Sequence, residues 1–337
     1  MTMTVPGPVV VVIGGSGFIG TCLVQHLQQG ARAPVQIVDK VASRRFPSLT
    51  RVADVRSLEA LQAAIPEHAQ IINLAAEHRD DVTPRSLYDE VNVEGARNIC
   101  RIAAAKRVRT IVFTSSVAVY GFAPLGTNES GSIQPFNDYG RTKYEAEQIY
   151  RSWQAEDPQH RTLVIVRPTV VFGEQNRGNV YNLLRQLASG RFVMVGNGKN
   201  RKSMAYVENL AAFLEYAMSF EPGVHTYNFI DKPDFTMETL VRTVGKLLGR
   251  TEAIRVRIPF VFGYLIGRGC DLIASITGRK FAISAIRVRK FCADSVYETA
   301  IERTGFVPPI SLPEALERTV RFEFLETHEN RELFYSE

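Results

Sequence analysis

The chain has 337 residues, 45% hydrophobic and 22% charged, with four cysteines and a formal charge of +5. That length exceeds one compact core, so a large domain with a smaller companion is expected, and the composition excludes a disordered chain. Cys22, Cys100, Cys270 and Cys292 stand far apart with no CxxC, which argues against disulfides and a metal site and fits a reducing cytoplasm. The opening MTMTVPGPVV carries no basic segment ahead of a long apolar run, so no signal peptide is expected.

Val9–Ile13 is an unbroken β-branched run, the pattern of a strand buried on both faces. Gly14, Gly17 and Gly20 follow at three-residue spacing, and Thr21–Gln29 can form a helix. Strand, glycine turn and helix in that order aim backbone N–H groups and a helix N-terminus at a pyrophosphate. Gly14 would make the turn, Gly17 admit the phosphates, and Gly20 let helix and strand close together. The GxxGxxG spacing departs from GxGxxG, and alone it also fits an ordinary turn. Pro34–Asp39 reads as a second strand ending in an acid 19 residues past Gly20, where a dinucleotide fold places its ribose ligand. Asp39 repels a 2′-phosphate and so favours NAD, while Lys40, Arg44 and Arg45 leave NADP open.

Val52–Val55 gives a short strand end, Leu58–Ile65 a brief helix and Gln70–Ala76 a buried strand. A helical pattern runs from Pro84 through Ile99 to Lys106, followed by a strand at Thr110–Ser115. A helix at Tyr139–Ala155 and a strand at Thr162–Arg167, stopped by Pro168, come next. This alternation predicts an α/β fold with a Rossmann-type, doubly wound parallel sheet. Past Gly173 the rhythm loosens. Asn182–Ala188 reads as a helical turn, Phe192–Val195 with Gly196 and Gly198 as a hairpin, and Val207–Met218 as a helix. His225–Ile230 reads as a strand returning to the main sheet, and Thr236–Leu248 and Leu312–Phe324 as helices. Pro259–Thr277 is apolar but broken by Arg268, Asp271 and glycines, too interrupted to span a membrane. A packed helix is the expectation there, with an interfacial amphipathic helix as the alternative. Residues 1–175, joined by about 205–232, are expected to form the dinucleotide-binding domain, and 176–204 with 233–337 a mixed substrate-binding domain.

Chemistry concentrates at Ser116, Tyr139 and Lys143. Tyr and Lys four apart share a helix face, so the ammonium can sit by the phenol. A phenol ordinarily loses its proton near pH ~10, and a nearby positive charge favours the phenolate, which would make Tyr139 a general base near neutral pH. Ser116 would hydrogen-bond the same substrate oxygen. Of the six histidines, His78 alone follows directly on the strand Gln70–Ala76, where it and its neighbours Glu77 and Arg79 could meet a substrate.

In this order, GGSGFIG, Asp39, Asp54-Val55, NLAA, Asn92, TSSVAVYG, YGRTK and VRPTVVFG resemble the extended branch of the short-chain dehydrogenase/reductase superfamily. Within it the chain is similar to nucleotide-sugar epimerases and reductases, including bacterial enzymes of surface-polysaccharide synthesis. The resemblance implies an NAD(P) enzyme in which Gly14, Gly17, Phe18, Ile19 and Gly20 cradle the pyrophosphate and Asp39 holds the ribose. Asp54 and Val55 would form the adenine pocket, and Leu74, Ala75 and Ala76 the wall behind phosphates and ribose. Pro168 and Val170 would line the nicotinamide. Ser116, Tyr139 and Lys143 become the catalytic trio, with Lys143 also on the nicotinamide ribose. Asn179 becomes a substrate contact, to which Glu77 and His78 are added by their position just past the wall. The implied substrate is a nucleotide-diphosphate sugar, a UDP-hexose or UDP-N-acetylhexosamine, and the implied assembly a homodimer.

Two departures bear on the diphosphate. Lys202-Ser203-Met204 stands where such epimerases often have Arg-Asp-Phe, moving the basic role to Arg201 or Lys202. The later Arg-x-Gly-Asp signature is missing, leaving Arg287 and Arg289 as basic candidates. Val117 and Ala118 replace the acid pair of dehydratases, which disfavours dehydration. Epimerisation through a 4-keto sugar and reduction of a 4-keto sugar both need the same trio, and a non-catalytic NAD(P)-binding regulator is the rival class. From Arg250 to Lys290 the basic residues Arg250, Arg255, Arg257, Arg268, Arg279, Lys280, Arg287, Arg289 and Lys290 face only Glu252 and Asp271. A diphosphate site is the expected use of that charge, with a membrane surface, nucleic acid or plain solvated surface as alternatives.

Overall fold

The strands β1 (Val10–Ile13), β2 (Val35–Asp39), β3 (Thr50–Val52), β4 (Gln70–Asn73), β5 (Thr110–Thr114) and β6 (Thr162–Pro168) alternate with helices, as the apolar runs predict. The computed structural model describes residues 7–30, 33–79, 82–250, 254, 256–277, 284–329 and 331–335. Arg255, Arg279 and Lys280 lie outside the described residues, as does the Lys290 side chain. The connecting helices are α1 (Phe18–Gly30), α2 (Leu58–Ala64), a single turn α3 (Ser86–Tyr88), α4 (Gly95–Ala105) and α5 (Asp138–Ala155). A π-helical stretch at Asp89–Glu94 joins α3 to α4. α1 begins at Phe18, three residues before the expected Thr21, so Gly20 lies inside it.

After β6 come β7 (Val170–Phe172), α6 (Asn179–Ser189), β8 (Val193–Val195), β9 (Arg201–Tyr206), α7 (Val207–Ala217) and β10 (Gly223–Phe229). Strand β10 returns beside β6, giving a seven-stranded sheet of order β10-β6-β5-β4-β1-β2-β3 in which every neighbour is parallel. The order reverses direction between β1 and β4, and in such sheets ligands bind at the carboxyl ends of the strands flanking that switch. One face packs Leu61, Ile99, Ala146 and Trp153 from α2, α4 and α5. The other packs Leu23, Leu27, Leu210 and Phe213 from α1 and α7.

The remaining elements are β11 (Asp231–Thr236), α8 (Met237–Leu247), β12 (Val256–Ile258), α9 (Phe260–Thr277), α10 (Ala285–Cys292) and α11 (Leu312–Phe324). β11, β9 and β7 make a small mixed sheet. Leu184, Met194, Leu240 and Leu316 build a core shared by α6, α8 and α11. The hairpin expected at Phe192–Gly198 does not form. β8 instead pairs in parallel with the distant β12, and the glycines carry the chain away from it. Nor is α9 a packed helix: Val261, Phe262, Leu265, Ile266 and Leu272 are all more than half exposed, between 52% and 63%. The reason lies in its buried side, which is made of glycines.

Candidate active site

The carboxyl edge of the sheet collects the site. Gly14 has a φ of +78°, in the left-handed region, and a Cβ there would meet the Ala75 nitrogen at 2.6 Å. A Cβ on Gly20 would fall 2.5 Å from the Gly14 carbonyl oxygen, so α1 presses onto the turn only without one. Gly17 is exposed, and a Cβ there would touch only the Gly14 oxygen, at 3.5 Å. The result is an open backbone cradle at the start of α1, with Phe18 and Ile19 half-buried beside it.

The Asp39 carboxylate at the end of β2 accepts N–H bonds from Ser16 at 3.0 Å and Val41 at 3.1 Å, leaving further acceptor capacity for hydroxyls. Leu74 continues β4 by donating its N–H to the Ile13 carbonyl, and the Ala75 N–H goes to Asn73 Oδ1 at 3.0 Å. Half-buried Ala75 and Ala76 form a small-residue wall beside Gly14. Asp54 is gripped by Arg56, with Nη2 at 2.7 Å, which holds its carboxyl below the usual range. Val55 is buried, and its carbonyl accepts from Asn98. An open cradle with the Asp39 carboxylate beyond it suits a dinucleotide without a 2′-phosphate.

β5 delivers Ser116, which caps the 3-10 turn Val117–Tyr120 by accepting the Ala118 N–H at 3.1 Å. α5 delivers Tyr139 and Lys143. Asn137 caps α5 through the Gly140 N–H, and a Cβ on Gly140 would lie 2.4 Å from the Ala118 carbonyl oxygen. Glycine at that position therefore lets the helix abut the Ser116 turn, and Tyr139 hydrogen-bonds Ser116. Lys143 is 2% exposed, with its ammonium 4.4 Å from the Phe113 ring centroid. Burial lowers it from 10.5 to about 7, against the pull of Glu147. Burial also pushes the Tyr139 phenol above its ordinary value, and the Ser116 hydrogen bond opposes that rise. The sequence predicts a phenol lowered by Lys143. In the structure burial acts on both groups, raising the phenol and lowering the ammonium.

Under the trio lies a buried polar network that spacing does not reveal. Glu147, fully buried, accepts Nε and Nη2 of Arg167 at 2.8 and 2.6 Å and the Ser115 hydroxyl at 2.6 Å. Arg167 also reaches the Tyr120 hydroxyl at 2.7 Å, which donates to Asn228 at 2.8 Å. Asn92 accepts the Glu77 N–H at 2.8 Å and donates to the Glu77 carbonyl and the Thr142 hydroxyl, at 3.0 and 2.9 Å. It thereby ties the loop after β4 to α5, next to Lys143. Position i+4 from Lys143 on α5 is the only local signal for Glu147.

The expected substrate contacts separate. Buried Glu77 and exposed His78 stand at the loop after β4, and the charges of both Glu77 and Lys143 act on the imidazole. Pro168 is buried at the end of β6, and Val170 is exposed on β7. Asn179 is the exposed first residue of α6. Arg201 and Lys202 lie on β9, pinned along 293–295: the Arg201 N–H donates to Asp294 at 2.6 Å and Lys202 Nζ to the Ala293 carbonyl at 2.6 Å. Arg287 and Arg289 are exposed on α10. Arg289 lies 5.8 Å from the Phe122 ring centroid, and Phe122 stacks on Phe136 at 4.7 Å. Phe122 follows the Ser116 turn and Phe136 precedes Tyr139, so this contact sets Arg289 against the segments that flank the trio.

Such an edge can move a proton at an alcohol while a dinucleotide lies within hydride reach, the work of a short-chain dehydrogenase/reductase. The NAD dependent epimerase/dehydratase family model matches residues 10–229, and the chain belongs to that family of NAD-dependent enzymes. It is 43% identical over 330 residues to the N-acetyl-alpha-D-glucosaminyl-diphospho-ditrans,octacis-undecaprenol 4-epimerase of Escherichia coli O157:H7, covering 97% of this chain and 99% of that one. It is 24% identical to the UDP-glucose 4-epimerase of Vibrio cholerae over 93% of this chain and 94% of the relative. Among solved structures, the UDP-N-acetylglucosamine 4-epimerase of Bacillus cereus superposes with a TM-score of 0.75 over 97% of this chain and 100% of the other, at 16% identity.

Proposed function

We propose that this protein is an NAD-dependent 4-epimerase of a sugar activated through a diphosphate, working through a 4-keto intermediate. The observation that carries the reading is the 43% identity, over nearly the whole of both chains, to a relative named as a 4-epimerase; the hydrogen bond of Tyr139 to Ser116, with Lys143 one turn further along α5, supports it. The Gly14–Gly20 cradle and Asp39 would hold NAD, backed by Leu74–Ala76, with Asp54 and Val55 at the adenine end and Pro168 and Val170 at the nicotinamide. NAD held there would supply the uptake and return of a hydride, and the positive charge of its oxidised form would oppose the rise that burial causes in the Tyr139 phenol. Tyr139, steadied by Ser116, takes the proton of the sugar C4 hydroxyl and returns it after the ketone has presented its other face. Lys143 holds the nicotinamide ribose, and its ammonium favours the phenolate. The enzyme would act in the cytoplasm as a homodimer; the four free cysteines suit a reducing compartment.

The carrier on the diphosphate has two readings. A nucleoside fits the class of enzyme. Undecaprenol, the carrier in the name of the 43% relative, fits the departures at Lys202-Ser203-Met204 and the missing Arg-x-Gly-Asp. The test is turnover without added cofactor of N-acetylglucosamine carried on diphospho-undecaprenol and, in parallel, on UDP, each with deuterium at C4. Formation of the galacto epimer with the label retained is the expected result. Stoichiometric reduction of added NAD(P)⁺ by the C4 deuteride, leaving a 4-keto sugar and no galacto epimer, would instead make the protein a 4-keto reductase seen in reverse.

A further inference from the structure

α9 is built inside out. Its buried side carries Gly263 and Gly267, where a Cβ would lie 2.5 Å from Val195 Cγ1 and 2.6 Å from the Ala285 nitrogen. These two glycines, one turn apart, let the helix lie tightly on β8 and on the start of α10. Its large apolar side chains are thereby turned outward. Val261, Phe262, Leu265, Ile266, Leu272 and Ile273 are 49% to 63% exposed, and Ile286 of α10 is 48% exposed. At 3.6 residues per turn Val261, Leu265 and Leu272 lie opposite the glycines and Phe262, Ile266 and Ile273 extend the same stripe along one flank, and a patch of this kind marks an interaction surface. Exposed Arg268 borders that side, and exposed Arg287 and Arg289 follow on α10.

We propose that α9 and the start of α10 lie in the interface of an anionic lipid bilayer, with the apolar side among the acyl chains and the arginines at the headgroups. No helix among the described residues is long and apolar enough to cross a membrane, so α9 lies along the surface. Charge selects the occupant. A symmetric contact with a second copy would set this arginine-bordered face against itself, whereas an anionic surface complements it. Continuity with the active site agrees. A cavity of about 310 Å³ between Phe260 of α9 and Arg289 and Cys292 of α10 opens beside Arg289, which contacts Phe122 just past the Ser116 turn. In the undecaprenol reading, on which this part rests, the lipid tail stays in the bilayer beneath α9 and the diphosphate passes Arg289.

The test uses the full-length protein with vesicles of phosphatidylcholine, alone or mixed with phosphatidylglycerol. Sedimentation with the mixed vesicles, falling with added salt, is expected. The double variant Leu265→Glu/Ile273→Glu should bind about tenfold or more weakly, and Arg268→Glu more weakly than wild type. Both should keep wild-type turnover of UDP-N-acetylglucosamine or of a short-chain, water-soluble prenyl diphosphate sugar. Wild-type protein that ignores both vesicle types overturns the proposal. So does self-association that the double variant abolishes without any vesicle binding, which would make the occupant a second copy. Vesicle binding with no turnover of any sugar would leave the docking surface standing and remove the epimerase reading instead.

Discussion

α5 and α9 are both 18 residues long and invert each other's chemistry. α5 is a polar sequence that buries two of its charges and a hydroxyl: Lys143 is 2% exposed, and Glu147 and Thr142 are fully buried. α9 is an apolar sequence that displays its bulk, with Leu272 at 63% exposure. Hydropathy alone would place each the other way round. In α5 the inversion is stabilised by specific partners, namely Arg167, Ser115 and Asn92. In α9 nothing in the described residues covers the apolar side. The difference teaches where each part of the molecule spends its departures from ordinary burial: one on chemistry, the other on contact with something outside the chain.

The largest expected effect tests the chemical half of that contrast. Tyr139→Phe should lower epimerisation by about 10²–10⁴-fold, since it removes the proton carrier while leaving the ring and the cradle. NAD affinity, followed by fluorescence titration, should survive. Near-normal turnover would mean that the trio does not carry the proton.

Next comes the buried pair beneath it. Arg167→Met strands the Glu147 carboxylate without its guanidinium and should cost about 3–5 kcal/mol in urea unfolding. Adding Glu147→Leu should recover much of that loss. If the single variant is nearly as stable as wild type, α5 does not depend on these partners and the comparison loses its first term.

Lys143 sharpens the same point through pH. Its folded-state value, about 7, lies below the ordinary 10.5. Below pH 7 both folded and unfolded chains hold the proton, and the fold carries the full cost of a buried ammonium. Above it the unfolded chain holds a proton that the folded chain has shed, so stability of the cofactor-free protein should rise with pH from about 7 towards 10. Lys143→Met should flatten that slope in pH-resolved thermal melts. A slope unchanged by the substitution would show that other groups produce it.

Asp39 predicts a smaller change. Asp39→Ala should narrow the preference for NAD over NADP by about tenfold, the scale of one charge repulsion at a half-exposed site. Because the same carboxylate accepts from Ser16 and Val41, some loss of NAD affinity itself should accompany it.

What could be read from sequence was local. The glycine cradle, Asp39 and the Tyr139–Lys143 spacing are each written within one turn or one strand end, and the structure assembles them along one sheet edge. Glu147 was not legible because a glutamate on a helix ordinarily meets water. Its burial is conferred by Arg167 and Ser115, 20 and 32 residues away. The pairing of β8 was misread for a related reason. Gly196 and Gly198 resemble a hairpin turn, but a parallel partner needs a long crossover, and β12 lies some sixty residues on. The outward face of α9 had a signal in the Gly263–Gly267 spacing. Bulk hydrophobicity obscured it, since an apolar helix is expected to face a core with its largest residues.

The smallest expected effect decides the other half of the contrast. Leu272→Gln replaces a leucine that is 63% exposed on α9, so urea unfolding should change by no more than about 0.5 kcal/mol. Leu184→Ala, in the core that α6 shares with α8 and α11, removes a fully buried leucine and should cost about 2–5 kcal/mol. The two leucines belong to the same half of the chain and differ chiefly in what surrounds them. A loss of 2 kcal/mol or more at Leu272 would mean that the rest of the protein covers α9 in solution. The apolar side would then be core and the helix no exception to ordinary burial. A loss near zero leaves that side free of any role in holding the fold, as a surface reserved for a bilayer requires.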